Sequence, residues 1–370
     1  MRRVLSLTLL ALSFASTTAV VLRSQPPAPA RVQAPADTSL TTPEERKHLK
    51  NVRQLTFGGQ NAEAYFSADD TTLIFQHQGA SVPCDQIYSI AVDAADGKAA
   101  VPKLLSTGKG RTTCSYFFPS GNRILFSSTH AASAECPPKP DYSRGYVWPI
   151  YNTYRIYTAK PDGSGLKLLT DAPGYNAEAT ITRDGKHIVF TSTRNGDLDI
   201  YTMDADGKNV KQLTHELGYD GGPFWSYDGT KIVYRAEHPQ TPEQIVDYKD
   251  LLGKGLIRPG NLEIWVMNAD GSNKHQITHN GAANFAPYWL PDGKRIIFAS
   301  NQADPKNAHA HMAAHHNLRR GRHSYRVGSS CAQKFQFRPR LIARPTHLSI
   351  YTFMQCNIGT GSSNGVCQCA

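Results

Sequence analysis

The sequence predicts an all-β fold, a propeller of four-stranded blades, and three observations carry that expectation. A unit of strand, tight turn and β-branched strand recurs five times along the chain. Two further elements recur in phase with it. The shortest spacing between equivalent positions, Asp184 to Asp228, is about 44 residues, the size of one four-stranded blade.

The first unit reads Phe66-Ser67-Ala68-Asp69-Asp70 before Leu73-Ile74-Phe75, and Phe118-Pro119-Ser120-Gly121-Asn122 before Ile124-Leu125-Phe126. It continues as Thr182-Arg183-Asp184-Gly185-Lys186 before Ile188-Val189-Phe190, and Ser226-Tyr227-Asp228-Gly229-Thr230 before Ile232-Val233-Tyr234. The fifth copy is Leu290-Pro291-Asp292-Gly293-Lys294 before Ile296-Ile297-Phe298. Asp-Gly supplies the positive φ that a tight hairpin turn requires. The second element is a strand, Ile87-Tyr88-Ser89-Ile90, Ile156-Tyr157-Thr158-Ala159, Ile200-Tyr201-Thr202-Met203 or Ile264-Trp265-Val266-Met267. Three of these strands run into a second Asp-Gly turn, at Asp162-Gly163, Asp206-Gly207 and Asp270-Gly271. The third element closes each unit with Leu55-Thr56, Leu105-Ser106, Leu169-Thr170, Leu213-Thr214 or Ile277-Thr278. A blade buries both faces on its neighbours, so single repeats are not expected to be stable alone.

This combination of Asp-Gly turn, Ile-Val-Phe strand, Ile-Tyr-x-Met-x-Ala-Asp-Gly and Leu-Thr closure resembles the repeat of the TolB-like β-propeller family, over about residues 51 to 304. The resemblance implies a propeller, typically closed with six blades, and a role in envelope assembly or transport. It also extends to the propellers of some peptidases, and fold alone does not fix activity. Five near-complete blades are visible, so the ring is expected to be left incomplete. An unclosed ring exposes strand edges, and poor folding or aggregation is expected from it.

Composition agrees with many short strands joined by turns: glycine contributes 29 residues, proline 23 and tyrosine 17, and only 19% of residues are charged. The net charge of +10 is no sign of a nucleic-acid partner. Nine basic residues and no acidic one follow Asp304, so the body before it is nearly neutral. Residues 1–22, with Met1-Arg2-Arg3 ahead of an uncharged run, read as a signal peptide or an uncleaved anchor, the one expected membrane contact. Residues 23–50 read as a Pro/Ala-rich linker, residues 51–304 as the propeller, and 305–370 as a basic tail. The tail has no Asp-Gly turn and no Leu-Thr closure. It reads either as an appended segment or as the product of a shifted reading frame. The expected location is periplasmic or secreted.

The hairpin turns fall on one end of the ring; the connections between blades and two insertions fall on the other. One insertion carries Tyr142, Tyr146, Trp148 and Tyr151. The other has a helix signature: Thr241 and Gln244 as a capping box, Pro242 at the first position and Gly253 as terminator, with Ile245, Tyr248 and Leu252 on one side. These aromatic and apolar residues either clasp a partner or shield the end of the ring. The connections align Asn61, Thr112, Asn176, Asp220 and Asn284 at one repeat position, and Glu63, Cys114, Glu178, Gly222 and Ala286 two later. The polar ring meets a ligand at the channel mouth or bonds its own loops as Asx-turns. Glu63 and Glu178 are the foremost candidates for contact with a polar guest. Cys84, Cys114 and Cys136 lie on the same end, and two of them are expected to form a disulfide in an oxidising compartment. Cys114 with either neighbour is the pairing considered, and a zinc site is disfavoured because no matching ligand spacing occurs.

No Gly-x-Ser-x-Gly, His-Glu-x-x-His or phosphate-binding glycine loop is present, so no catalytic residue, metal or cofactor is assigned. The expected function is an exported scaffold that binds an envelope protein, a peptide or a small polar ligand. The alternatives are a substrate-gating propeller accessory to a peptidase, or a cation-dependent propeller hydrolase.

Overall fold

Five four-stranded antiparallel sheets follow one another along the chain in a computed structural model, which describes residues 54–92, 100–143 and 145–302 and the backbone of strands 313–316 and 324–325. The signal or anchor, the linker and most of the basic tail lie outside the described residues. Blade 1 is β1 (Gln60–Phe66), β2 (Thr72–Gly79), β3 (Val82–Ala91) and β4 (Lys103–Leu104). Blade 2 is β5 (Thr112–Phe117), β6 (Ile124–Ser128), β8 (Arg155–Ala159) and β9 (Lys167–Leu168); the short β7 (Trp148–Pro149) lies in its insertion. Blade 3 is β10 (Asn176–Ile181), β11 (His187–Ser192), β12 (Asp199–Asp204) and β13 (Lys211–Gln212). Blade 4 is β14 (Tyr219–Trp225), β15 (Lys231–Glu237), β17 (Glu263–Asn268) and β18 (His275–Gln276). Helix α1 (Pro242–Gly253) and β16 (Leu256–Ile257) fill its insertion. Blade 5 is β19 (Asn284–Trp289), β20 (Ile296–Ser300), β21 (Ala313–His316) and β22 (Ser324–Tyr325). The last two strands lie beyond residue 304, where the repeat pattern stops. Backbone pairing needs no particular side chain, so the sheet runs on where the pattern no longer marks it.

The hairpin turns have the predicted chemistry. Gly121, Gly185, Gly229 and Gly293 have φ between 64 and 71°, and Asp70 takes the same role in blade 1 with φ 61°. The preceding Ser or Thr hydroxyl bonds the turn carboxylate or amide, as in Thr182 Oγ1 to Asp184 Oδ1 and Ser226 Oγ to Asp228 Oδ1, both 2.6 Å. The second turns serve packing between blades. A Cβ on Gly163 would lie 2.4 Å from the carbonyl oxygen of Leu105, and one on Gly207 would lie 2.4 Å from that of Leu169. Each second turn thus sits on the closing leucine of the blade before it, which is why the two elements recur in phase. The closing Ser or Thr extends the sheet through its side chain: Thr214 Oγ1 accepts from Ile200 N–H at 2.9 Å, and Thr278 Oγ1 from Ile264 N–H at 2.9 Å.

Apolar cores lie between successive blades. Ile74 and Ile87 of blade 1 pack with Ile124 and Phe126 of blade 2, and Leu125 and Ile156 of blade 2 with Ile188 and Phe190 of blade 3. The same arrangement joins blade 3 to 4 and blade 4 to 5. The first strands pack in sequence, β1 on β5, β5 on β10, β10 on β14 and β14 on β19.

Candidate functional site

Every first strand carries a β-bulge at one repeat position. Pairing shifts between Ala62 and Tyr65, Thr113 and Tyr116, Ala177 and Thr180, Gly221 and Phe224, and Phe285 and Tyr288. In each case two residues of the first strand face one of the second. That single residue is the aromatic of the repeat, Phe75, Phe126, Phe190, Tyr234 or Phe298. The first bulge residue is left-handed in all five blades: Glu63 (φ 49°), Cys114 (52°), Glu178 (57°), Gly222 (59°) and Ala286 (47°). Four of the five are not glycine, a conformation that costs about 1–2 kcal/mol per residue and persists only where its surroundings enforce it. The bulges form one ring of re-aimed side chains along the inner strands.

Glu63, Cys114 and Glu178 come together in this ring with Arg235, from the middle of β15. Arg235 Nη2 donates to Glu178 Oε1 at 2.6 Å, with both side chains 7% exposed. Arg235 Nε donates to the Tyr219 hydroxyl at 3.0 Å, and Gly222 N–H donates to Glu178 Oε2 at 2.9 Å. The guanidinium lies 5.0 Å from the Trp148 ring centre and 5.8 Å from that of Phe285. Burial works against its charge, but Tyr219 and Glu178 hold it protonated above its ordinary value. Glu63 has no ion pair among the described residues. Burial pushes its carboxyl up to about 7, against a hydrogen bond from Cys114, and the Glu178 carboxylate adds to the rise. Burial and the two carboxylates likewise push the Cys114 thiol up.

Two residues further along each first strand is a second layer: Tyr65, Tyr116, Thr180, Phe224 and Tyr288. Tyr65 and Tyr116 meet edge to face at 5.1 Å, Tyr65 lies 5.7 Å from Phe224, and Phe224 lies 5.4 Å from Tyr288. The hydroxyls of Tyr116 and Tyr288 are 3.4 Å apart, and Thr180 Oγ1 donates to Pro223 O at 2.9 Å. These rings reach one another across the axis and form a floor toward the hairpin turns.

The opposite mouth is roofed by the two insertions, which pair with each other: Trp148 with Ile257 and Pro149 with Leu256. Trp148, Ile150, Tyr154 and Ile257 are buried in one cluster with Tyr175, Tyr219, Ala283 and Phe285. Tyr146, Tyr151, Tyr248 and Leu252 pack against it. Helix α1 has the predicted capping box of Thr241 and Gln244 and the predicted Pro242. Gly253 ends the helix without a left-handed turn; Gly255, with φ 68°, makes that turn. Among the predicted partner-face residues, Trp148 is buried, with Nε1 donating to the Tyr146 hydroxyl at 2.8 Å. Tyr151 donates to Pro138 O at 2.8 Å, Tyr248 to Asp197, and Tyr142 and Ile245 are half-buried. These aromatics thus pack into the roof itself, and among the large hydrophobics of the described insertions Val246 on α1 is left exposed, at 67%.

The disulfide expectation needs correction, and the polar ring takes the second of its two expected roles: Asn61, Thr112, Asn176, Asp220 and Asn284 are at most 3% exposed. They bond their own loops and the blade before: Thr112 Oγ1 to Asp85 O at 3.0 Å, Asn176 Nδ2 to Tyr154 O at 3.3 Å, and Asn284 Nδ2 to Leu262 O at 2.7 Å. Asn61 is 2.8 Å from His77 Nδ1, and Asp220 is 3.1 Å from His238 Nε2. The disulfide joins Cys84 to Cys136, and Cys114 is free and buried. The bulge turns Cys114 inward to Glu63 and away from both other thiols. Sequence reading missed Arg235, Tyr219, the Tyr65–Tyr116 floor and the buried ion pair of Arg111 with Asp85 at 2.7 Å. Arg235 did carry a signal, as the one charged residue at its repeat position, where the other blades have Gln76, Ser127, Thr191 and Ala299. Among the described residues no group of three or more His, Cys, Asp or Glu is placed to hold a metal ion.

Residues 151–255 match the family described as TolB beta propeller domain. A 40-residue stretch is 48% identical to dipeptidyl-peptidase 5 of Porphyromonas gingivalis, covering 11% of this chain and 6% of that protein. The fold is similar to TolB from Acinetobacter baumannii, with a TM-score of 0.49 and 18% identity over 70% of this chain and 51% of that one. It is also similar to a putative TolB from Agrobacterium tumefaciens, with a TM-score of 0.47 and 21% identity over 70% of this chain and 76% of that one. The chain thus spans about half the length of the first of these structures and a small part of the peptidase. Residues 151–255 thus resemble the TolB beta propeller domain, and the four-stranded antiparallel blades of which they form part recur five times along the chain.

Proposed function

We propose that the chain is an exported scaffold of the cell envelope that binds a protein partner through its insertion-bearing end. The observation that carries this reading is the pairing of two insertions, from blades 2 and 4, into one roof over a single end of the ring. Variation gathers at this end, while the hairpin end is short and uniform, and recognition is commonly built on such variable loops. Val246 on α1 and Leu217 in the neighbouring connection present aliphatic surface outward. The disulfide supports a periplasmic or secreted location, since such bonds persist in oxidising compartments. Among the described residues no helix is long and apolar enough to cross a membrane. Capture from envelope extracts tests the reading. Val246→Glu with Leu217→Glu is expected to reduce the captured partner at least about fivefold, the cost of burying two charges at an apolar contact. An unchanged capture profile would sink it.

The short likeness to dipeptidyl-peptidase 5 favours a second reading, a propeller that gates substrate to a peptidase. Co-purification with a hydrolase, and a shift in that hydrolase's preference for peptide length when the propeller is added, would support it over the first.

A further inference from the structure

The insertion of blade 2 joins β6 to β7 through residues 129–147, which form neither strand nor helix. Its near end is anchored by backbone: Thr129 N–H donates to Arg111 O at 3.0 Å, and Ala134 O accepts from Gly110 N–H at 2.8 Å. Its far end is anchored by the roof, where Tyr146 packs and accepts from Trp148 Nε1. Between these anchors, residues 135–141 make no backbone-to-backbone hydrogen bond to a blade among the described residues. Pro137, Pro138 and Pro140 remove three donors from the stretch. The Tyr151 hydroxyl donates to Pro138 O at 2.8 Å, and Cys136 is bonded to Cys84. Cys84 is 2% exposed in β3 of blade 1, between the pairs His77–Gln86 and Gly79–Val82 of its ladder with β2. Next to it Asp85 pairs with Arg111, which stands within electrostatic reach of Tyr142 and Tyr151. The stretch is thus a strap from blade 2 to blade 1 beside that ion pair, tied by one covalent bond.

We propose that the Cys84–Cys136 bond is a redox-sensitive clasp: its reduction frees residues 135–141 from blade 1 and leaves the blades folded. The apolar cores between blades 1 and 2 and between blades 2 and 3 contain no residue of the strap, so they lose nothing when it lifts. Cys136 is half-buried and Cys84 buried, so Cys136 Sγ is the sulfur that a reductant reaches. A thiolate of a small dithiol attacks Cys136 Sγ, and Cys84 Sγ leaves as a thiolate that takes a proton from solvent. The second thiol of the reductant then displaces Cys136 Sγ, which is protonated in turn, and the dithiol ends as a cyclic disulfide. Two electrons pass to the protein. Cys114 is buried beside Glu63, so the freed thiols have no third cysteine next to them among the described residues and re-form the same pair on oxidation. Release also takes the Pro138 acceptor from Tyr151, while the pairing of β7 with β16 keeps the rest of the roof in place. The clasp stands whether or not this end binds a partner, so it and the function proposed above fail separately.

Limited proteolysis with subtilisin, on the full chain before and after dithiothreitol, tests the clasp. Alkylation of Cys84 and Cys136, located by peptide mapping, reports that the bond has been cut. Reduction is expected to speed cleavage within residues 130–143 at least about tenfold, since a freed strap reaches the protease without unfolding a blade. Amide hydrogen exchange in β5, β6 and β8 is expected to stay within about twofold of the oxidised chain, the pattern of a local opening. Cys136→Ser is expected to show the same cleavage without reductant, and reoxidation of the wild type to restore its resistance. Should Cys136→Ser fail to fold, the reduced wild-type chain decides the matter. A bond that yields to dithiothreitol only in denaturant, a cleavage rate that reduction leaves unchanged, or blades that lose protection together with the strap overturns the proposal.

Discussion

Glu178 and Arg235 are both 7% exposed, come from different blades, and share their bonds with Tyr219 and the Gly222 amide. Removing one partner leaves a charge buried without compensation, which is far worse than removing both. Glu178→Ala is therefore expected to lower the unfolding free energy by about 3–5 kcal/mol in urea denaturation. Glu178→Leu with Arg235→Met is expected to recover most of that loss. A cost below about 1 kcal/mol for the single change would mean that the pair does not hold the ring interior. At this scale the sequence was legible where a residue repeats and opaque where it does not. Glu63, Cys114 and Glu178 share one column when the five repeats are aligned. The column could not show that the shared feature is a left-handed bulge, because only one of its five members is glycine. It did hold a clue about the disulfide: a cysteine aligned with Glu63 and Glu178 belongs inside, away from a bond with Cys136.

The turns show why one dipeptide plays two parts in each blade. Gly207 and Gly229 both follow aspartate and both have positive φ, 92° and 70°. A Cβ on Gly207 would strike the Leu169 carbonyl at 2.4 Å, whereas on Gly229 it would meet only the Thr182 methyl at 3.7 Å. Gly229→Ala should therefore cost about 1–2 kcal/mol, the price of the backbone conformation alone. Gly207→Ala should cost clearly more, since blades 2 and 3 must separate to admit the methyl. Thermal melts of the two variants compare them directly, and equal losses would show that close packing of turn on leucine is not what fixes this glycine. The helix was legible in full at its start, because a capping box is local chemistry. Its seat on the roof was not, because the pairing of Trp148 with Ile257 joins segments more than a hundred residues apart, and no local pattern encodes it.

Across the whole molecule, buried acids and turn acids pull stability in opposite directions with pH. The turn aspartates Asp69, Asp184 and Asp228 accept bonds from neighbouring hydroxyls and amides, which hold them below the usual carboxylate range. Their contribution is present above the unfolded pKa and is lost as pH falls through the folded one. Glu63 and Asp199 are raised to about 7 by burial, and Asp85 and Asp220 are raised for the same reason. For these the folded chain holds protons that the unfolded chain has released, so stability declines as pH climbs from their ordinary range toward 7. His238, raised chiefly by Asp220 against the effect of burial, adds stability at acid pH that is lost on going alkaline. His77 and His130, lowered by burial, act the other way below their ordinary pKa. Between about pH 5 and 8 only His77 and His130 oppose the raised groups, so the melting temperature is expected to peak near about pH 5, fall toward pH 8, and fall again below about pH 4 as the turn aspartates lose their contribution. Glu63→Gln with Asp199→Asn removes the two largest raised carboxyls and should flatten the fall between about pH 5 and 8 while leaving the acid limb in place. A wild-type melting temperature that rises from pH 5 to 8, or a double variant with an unaltered slope, would place the pH dependence somewhere other than these two carboxyls.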